Sequence, residues 1–183
     1  TKDEMTVRKL YLADYFADVT GEGYSFNGKF SKNINNDMRM LLQTGALCND
    51  SSIKSGNAIG DPTEAALIVS LAKAGTMKEE LEKKYPRTDE VPFDSERKMM
   101  STLHKYGRQN LLCTKGAPDI LIKHCTKILV NGKIKDMNEA YREKILKANE
   151  MMANSALRVL GMAYKQLPKA QKLSESSEKE LVF

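Results

Sequence analysis

Residues 91–116, VPFDSERKMMSTLHKYGRQNLLCTKG, decide the fold of this chain, because strand patterns follow one another there with only short breaks. Apolar and β-branched residues fill VPF, MMSTLH and QNLLCT, which predicts two or three strands. DSER is typical of a turn or bulge, and Tyr106–Gly107 of a turn. Strands joined by such short turns are antiparallel neighbours. The stretch therefore predicts part of a mainly antiparallel sheet.

A helix, a hairpin, a second helix and a strand are predicted after this sheet. Pro118 suits the first position of a helix over 117–124. The Asn131–Gly132 pair in ILVNGKIKDM is typical of a tight hairpin. RVLGMAYKQL (158–167) has the pattern of a returning strand. The long helix between them has an apolar stripe made of Tyr141, Ile145, Ala148 and Met152.

The part of the chain before residue 91 is predicted to be mainly helical. GDPTEAALIVSLAKAG (60–75) has Asp61 as N-cap and Pro62 at the first helical position, with Glu64 three residues after the cap and Gly75 beyond the end. The other predicted elements are a strand over 5–12 leading into the sheet, a loop or hairpin over 21–33, a helix from Asn35 that ends at Cys48, and a short charged helix over 78–85.

This mixture of hairpins and helices predicts an α+β fold with a mainly antiparallel, twisted β-sheet flanked by helices. A parallel, doubly wound sheet is the alternative. Residues 1–183 are expected to form a single domain, and the absent initiator Met and the apolar ending ELVF indicate a piece of a longer protein. The charged tail, within 172–183, is expected to be a connecting segment.

Composition excludes several classes of protein. The chain has 183 residues, 41% hydrophobic and 29% charged, and no apolar run approaches the length of a membrane span. Its net charge of +5 comes from lysines and arginines interleaved with acids, which is typical of a solvated surface and disfavours nucleic-acid binding. Cys48, Cys113 and Cys125 form no C-x-x-C pair and are expected to be reduced thiols.

No complete catalytic or metal motif is present in the sequence. The Lys115–Gly116 pair lacks the glycines and hydroxyl of a Walker loop, and neither G-x-G-x-x-G nor G-x-S-x-G occurs. The two histidines, His104 and His124, have no further ligands at metal spacing. We therefore predict no metal site and no hydrolytic centre in this chain.

Three features have both a structural and a functional interpretation. Glu64 fits a capping box, in which its carboxylate accepts from the N-cap amide. Phe93 fits either core packing or a platform on which a base stacks. The ten methionines are favoured as core residues over an adaptable binding surface.

Taken together, four segments in order resemble the nucleotide-binding (N) domain of P-type cation-transporting ATPases, in the calcium and sodium/potassium pump branch. These segments are GDPTEAAL (60–67), PFDSERKMM (92–100), TKGAPDILIKHC (114–125) and LRVLGMAYK (157–165). The resemblance covers most of the chain. It also implies that Thr1 is the last residue of the Asp-Lys-Thr-Gly-Thr-Leu-Thr motif, so that the phosphorylated aspartate lies upstream.

The resemblance implies roles for individual residues. Glu64 would approach the adenine amino group and Phe93 would stack on the base. Lys115 would reach deep into the adenine site, where Gly116 lets the backbone come close. The remaining implied contacts are Lys98 at the pocket wall, Arg158 near the ribose and phosphates, and Leu160 beneath the nucleotide. Further candidates are Thr63, Ser95, which stands where muscle calcium pumps have an arginine, and Arg97.

The family's activity implies the cofactor and partners. The domain would bind ATP, with Mg²⁺ held mainly by the phosphorylation domain, and would deliver the γ-phosphate to that domain's aspartate. The implied partners are the phosphorylation and actuator domains. Residues 1–10 and 172–183 would connect to the phosphorylation domain. The domain would lie on the cytoplasmic side of a membrane as a monomer, without contacting the bilayer or nucleic acid, and calcium is the cation suggested.

Two alternatives remain open from the sequence. One is a nucleotide-sensing regulatory module whose parent chain has no transport function. The other is a basic protein-interaction or nucleic-acid-binding domain, whose binding would fall steeply with salt and ignore the adenine ring.

Overall fold

Residues 3–183, the part of the chain described by this computed structural model, contain five α-helices, eleven strands and two short 3₁₀ helices, Ile122–His124 and Glu175–Ser177. The helices are α1 (Asn36–Leu47), α2 (Pro62–Lys73), α3 (Lys78–Lys84), α4 (Pro118–Leu121) and α5 (Glu139–Asn154). The strands are β1 (Lys9–Leu12), β2 (Tyr15–Asp18), β3 (Ser52–Lys54), β4 (Asn57–Ile59), β5 (Arg87–Asp94), β6 (Met99–Tyr106), β7 (Gln109–Gly116), β8 (Cys125–Val130), β9 (Lys133–Asp136), β10 (Gly161–Leu167) and β11 (Leu181–Val182). The expectation for Thr1 lies outside the described residues.

A seven-stranded sheet in the order β5-β6-β7-β10-β11-β8-β9 forms the centre of the fold. Every neighbouring pair is antiparallel except β11 and β8, which are parallel. Helix α1 packs on β7 and β10, and α2 packs on α1. The predicted α+β fold with a mainly antiparallel sheet is confirmed, and the parallel, doubly wound alternative is wrong.

The local signals of helix and hairpin ends are confirmed in detail. The Asp61 side chain accepts hydrogen bonds from the backbone N–H groups of Thr63 and Glu64, so it is the N-cap of α2. Asn131 and Gly132 join β8 to β9 with φ angles of +49° and +77°. Positive φ at both central residues is what a type I′ hairpin turn needs, and asparagine and glycine adopt it most readily.

The predicted first strand differs from the observed one. Strand β1 pairs only with β2, in a separate two-stranded sheet, and does not enter the central sheet. Leu12 is opposite Tyr15 across a turn made by Ala13 and Asp14. The alternating pattern of residues 5–12 indicates a strand but does not specify its partner, and the strand that follows after a two-residue turn is the nearest one available.

The charged tail contributes to the core, in contrast to the composition-based expectation for it. Leu181 and Val182 form β11, which lies between β10 and β8, and Leu181 is fully buried. Leu173 and Glu178 are buried as well. The apolar residues are few, but they occupy central positions. The role of 1–10 and 172–183 as connections to another domain stays a prediction.

Reduced cysteines and buried methionines are found as expected. Cys48, Cys113 and Cys125 are free and buried, and burial raises the pKa of the Cys48 thiol to about 11. Met38 and Met99 are fully buried in the core, as predicted for core-filling residues. Met5, Met40 and Met152 are only partly buried.

Candidate functional site

The register of four neighbouring strands brings one end of each to the same place. Asp94 on β5 is opposite Met99 on β6, which is opposite Gly116 on β7. Gly116 is in turn opposite Gly161 on β10. Adjacent strands lie about 4.8 Å apart, so this end of the sheet is about 14 Å wide.

Four of the predicted site residues are direct sequence neighbours of these paired positions. Phe93 precedes Asp94, Lys98 precedes Met99, Lys115 precedes Gly116 and Leu160 precedes Gly161. The structure therefore brings together segments that are distant in sequence, in the order that the strands take in the sheet. The predicted residues share one end of the sheet.

Glu64 reaches this end from the first turn of α2. Its Oε1 atom lies 2.6 Å from Lys115 Nζ, and the two side chains are only 14% and 7% exposed. A carboxylate and an ammonium held this close and largely away from water stabilise each other only as a pair. The pair joins α2 to the central strand β7.

The second carboxylate oxygen of Glu64 is also occupied. Oε2 accepts from the backbone N–H of Asp50 at 3.1 Å and from Ser51 Oγ at 3.2 Å. The capping-box expectation for Glu64 is therefore wrong, because the carboxylate turns toward residues 50–51 and Lys115. A carboxylate has about four acceptor positions, and three are used here. One acceptor direction on Oε1 remains.

A buried lysine and a partly buried arginine hold the 49–51 segment that fixes Glu64. Lys78, which is 5% exposed, donates through Nζ to the carbonyl oxygens of Asn49, at 3.0 Å, and Ser51. Arg87 donates to Asn49 O at 2.8 Å and to Asp50 Oδ1 at 2.7 Å. Burial lowers the pKa of Lys78. The segment is thus clamped from two sides.

The turn between β5 and β6 presents an aromatic ring and a cation to solvent. Phe93 is 62% exposed, the largest exposed fraction among the large apolar side chains. Lys98 is exposed, adopts φ of +57°, and makes no ion pair within residues 3–183. Asp94 Oδ1 accepts from the backbone N–H groups of Glu96 and Arg97, which holds the pKa of Asp94 below its ordinary value.

Ser95 and Arg97 behave differently from each other within that turn. Ser95 is exposed. Arg97 Nε donates to Glu178 Oε1 at 3.0 Å, and Nη2 donates to two backbone carbonyls of the same hairpin, those of Pro92 and Met99. The guanidinium is therefore directed into the protein. This geometry does not favour Arg97 as a contact for a bound phosphate.

Arg158, Thr63 and Leu160 form the other side of this region. Arg158 Nη1 donates to Thr63 Oγ1 at 2.9 Å, which links the segment before β10 to the start of α2. Arg158 is exposed and Leu160 is partly buried. A cation and an apolar side chain are thus available two residues apart.

Gly116 allows close contact within the protein. A methyl group there would come within 2.6 Å of Lys98 O and 2.7 Å of Met99 Cγ. The sequence interpretation assigned this glycine to the approach of a base. The contacts show that it first permits the approach of β6 and the turn before it.

Sequence reasoning missed the residues that support Glu64. Asn49, Asp50 and Ser51 were assigned only to a loop, and Lys78 to a charged, solvated helix. Lys78 contacts carbonyls 27 and 29 residues away, so no local pattern indicates its burial. The amide of Asn49, which donates to Glu64 O at 2.8 Å, likewise reaches a group 15 residues away.

Two further observations concern the described part of the chain. Between residues 3 and 183, no three His, Cys, Asp or Glu side chains come together in a way that could hold a metal ion. None of the helices in that range has the length and apolar character needed to cross a membrane.

Comparison with known proteins identifies similar sequences. The sequence profile described as "P-type ATPase, cytoplasmic domain N" matches residues 37–183. Calcium-transporting ATPase 1 of Bacillus cereus is 41% identical over 98% of this chain and 20% of its own length. A calcium-transporting ATPase of Listeria monocytogenes is 39% identical over 90% of this chain and 18% of its own length. Calcium-transporting ATPase 1 of Lactococcus lactis is 38% identical over 88% of this chain and 18% of its own length. The chain spans about a fifth of the length of these relatives.

Proposed function

Because this chain belongs to the family of P-type ATPase cytoplasmic N domains, we propose that it binds the ATP of a cation pump at the sheet end that carries Glu64, Phe93 and Lys115. The observation that carries the proposal is the buried Glu64–Lys115 ion pair at the same end of the sheet as an aromatic ring that is 62% exposed. A buried polar pair and an open aromatic face together match the needs of a flat, hydrogen-bonding base.

Each group has a distinct task in this proposal. The adenine amino group donates to the acceptor direction left on Glu64 Oε1, and the ring stacks on Phe93, a contact worth about 1–3 kcal/mol. Lys115 holds the Glu64 carboxylate in place and lies next to the base and sugar. Adenine selectivity follows because a guanine presents a carbonyl, not an amino group, at the corresponding ring position.

The polyphosphate extends toward exposed cations. Lys98 and Arg158 are both exposed and are assigned to the phosphates and ribose, with Leu160 as the apolar surface beneath the nucleotide. Thr63 orients Arg158, and Ser95 contributes a hydroxyl at the turn. Arg97 is left out because its guanidinium is used by Glu178 and backbone carbonyls.

The chain itself performs binding and delivery. The γ-phosphoryl group is transferred to an aspartate of the adjoining phosphorylation domain, which also supplies most of the Mg²⁺ site, while Mg²⁺ neutralises phosphate charge when bound. Closure of the two domains brings phosphate and aspartate together. Alone, the chain is expected to bind ATP without turnover, because no residue here is proposed as the nucleophile.

The parent protein is proposed to be a cation pump with this domain on the cytoplasmic side of its membrane. Calcium is the proposed cation, since relatives 38–41% identical to this chain are named calcium-transporting ATPases. The phosphorylation and actuator domains are the proposed partners, and the isolated chain is expected to be a monomer that contacts neither bilayer nor nucleic acid.

Amide NMR during an ATP titration, with GTP alongside, tests the proposal. We expect saturable shifts near Glu64, Phe93, Lys115 and Arg158, with Kd of roughly 0.1 to several mM, or about −5.5 to −3 kcal/mol. Phe93→Ala and Lys115→Ala should lose them, whereas Phe26→Ala, which removes another exposed phenylalanine, should not. Diffuse shifts of equal size with both nucleotides would show that basic charge alone attracts phosphate.

A further inference from the structure

A cavity of about 410 Å³ lies between the N-terminal segment, α1 and α5. Its walls are mostly apolar and include four methionines: Met5, Met40, Met152 and Met162. The volume falls within the range of roughly 300–1,000 Å³ typical of small-molecule sites. Methionine side chains are flexible and polarisable, so they adapt to ligands of different shape. These methionines are a set apart from Met38 and Met99 in the core.

The cavity overlaps only in part with the proposed nucleotide contacts at the sheet end. Glu64, Phe93, Lys98 and Lys115 do not line it. Thr63, Arg158 and Leu160 do, so the two regions are neighbours that share one wall. A ligand in the cavity would therefore lie beside the proposed site and would leave the Glu64–Lys115 pair in place.

Packing and hydrogen bonding favour an apolar occupant over water. Protein interiors are close-packed, and voids larger than a water molecule are few. Leu41, Leu157 and Val159 line the cavity and are only partly buried, so it is open to solvent. The hydroxyl of Thr44 donates to Met40 O at 2.7 Å and offers no free donor. Water needs two to four polar partners, and the mostly apolar wall offers few of them.

Cations predominate among the charged groups of the cavity wall. Arg8, Lys9 and Arg158 line it and are exposed, against the carboxylates of Glu4 and Asp37. Arg8 Nη1 and Arg158 Nη1 donate to neutral oxygens, those of Gly21 and Thr63, so neither charge is neutralised there. Lys9 is 3.4 Å from Asp18. Asp37 is nearly buried and accepts from the N–H of Gly132.

We propose that this cavity binds a soluble amphiphile, an apolar chain that carries one negative group. The chain lies among the methionines between α1 and α5, and the negative group lies near Arg8, Lys9 and Arg158. A medium-chain carboxylate has this chemistry. The same chemistry occurs in anionic membrane lipids, so the test separates the free molecule from a lipid surface.

NMR of the 183-residue chain with ¹³C-methyl-labelled methionines, titrated with decanoate below its micelle-forming concentration, tests the proposal. We expect saturable shifts of the Met40, Met152 and Met162 methyl groups, while Met38 and Met99 stay unchanged. Decanol, which has the same chain length without charge, should bind more weakly. Equal shifts of all methyls, no shifts, or equal binding of decanol would overturn the proposal. Identical shifts with anionic vesicles and none with free decanoate would assign the cavity to a lipid surface instead.

Cavity-filling variants make the test specific. Ala148→Leu fills the space from α5 and Ala66→Leu from α2, and both alanines are buried in the wall. Each should weaken decanoate binding by at least about tenfold, without lowering the thermal midpoint, because the added side chain occupies existing space. Ala170→Leu, at an exposed position outside the cavity, is the matched control. If both leucine variants are folded and still bind decanoate as tightly as the wild-type chain, the assignment is refuted.

Discussion

Lys115 Nζ lies 2.6 Å from Glu64 Oε1, across 51 residues of sequence. One side chain comes from a central strand and the other from the first turn of a helix. Because both are largely withdrawn from water, each needs the other, and the pair fixes α2 against the sheet. The same contact that organises the domain is therefore the centre of the proposed adenine site.

Removing one partner of this ion pair should destabilise the fold by more than the intact pair stabilises it, because the other charge is left buried and unpaired. Glu64→Gln leaves a buried ammonium without a counter-charge and should lower the free energy of unfolding by about 3 kcal/mol, as should Lys115→Met. The double variant should lose less free energy of unfolding than the two single variants added together, because no unpaired charge remains. Urea unfolding of the three variants measures this coupling.

The exposed pair of Lys127 and Asp136 provides the control for that cycle. Its side chains are 47% and 83% exposed, so Lys127→Met should change the free energy of unfolding by less than about 1 kcal/mol. Additive losses in the Glu64 and Lys115 variants would contradict the coupling.

Lys78 should affect nucleotide discrimination although it is a positioning residue. Lys78→Met removes the donor that binds the carbonyls of Asn49 and Ser51, and so loosens the Asp50 N–H that orients Glu64. We expect ATP affinity to fall by about tenfold and the preference for ATP over GTP to shrink, measured by calorimetry or NMR titration.

Two substitutions control for a general loss of stability in the Lys78 variant. Lys78→Arg retains a cationic donor and should restore part of the ATP preference. Lys83→Met, on an exposed position of the same helix, should leave it unchanged. An unaltered ATP/GTP ratio in Lys78→Met would show that the 49–51 clamp has no part in recognition.

Arg97→Met should destabilise the fold, because it leaves the buried Glu178 carboxylate without its counter-charge. Glu178 is 1% exposed in its side chain, and its Oε2 has no hydrogen-bond partner within the described residues. Without Arg97, the free energy of unfolding should fall by about 3 kcal/mol. Glu178→Gln should cost less, since the remaining Arg97 guanidinium keeps two backbone carbonyls and Glu175 as partners. Arg108→Met, at an exposed position, is the control, and an equal loss there would refute this account.

The same carboxylate predicts a pH dependence. Burial, partly opposed by Arg97, raises the pKa of Glu178 above its ordinary value of 4.5. The folded state thus keeps this proton to a higher pH than the unfolded state, so Glu178 makes stability fall as pH rises above 4.5 through the folded pKa. Removing Arg97 should extend that decline to higher pH. Unfolding curves between pH 4.5 and 7, compared with Glu178→Gln, measure it.

His104 makes stability depend on pH in the opposite direction. Burial lowers its pKa from 6.5 to about 4, and its ring nitrogens lie 2.7 Å from Thr102 Oγ1 and 3.0 Å from Tyr85 O. Between pH 6.5 and 4 the unfolded state binds the proton, so stability should fall by about 3 kcal/mol as pH drops through that window. NMR titration of the ring follows it directly, and a midpoint near 6.5 would be incompatible with this environment.

The elements that sequence predicted well are those with local signals. The Asp61–Pro62 start of α2 and the Asn131–Gly132 hairpin depend on residues within a few positions of each other, so they were found. Strand β11 was missed because its pairing partners are remote and its two residues sit in a charged stretch. A strand's neighbours, unlike its conformation, are set by the whole fold.

The residues of the candidate site also divide into those that the sequence predicts and those that it does not. Glu64, Phe93 and Lys115 were selected through the family resemblance, and the register of β5, β6, β7 and β10 places the last two at one sheet end. The Lys78 clamp and the Arg97–Glu178 pair could not be predicted, because each joins a charge to groups at least 27 residues away. Charged residues in a polar stretch give no sign of burial.

Strand β11 has a consequence for synthesis on the ribosome. The β8–β9 hairpin joins the rest of the central sheet only through β11, whose residues follow all the others of the sheet in the chain. A nascent chain can pair β5, β6, β7 and β10 while the hairpin is still unattached, and the sheet closes only when Leu181 and Val182 leave the exit tunnel. The strand of this sheet that is translated last is thus the one that unites two separately formed parts.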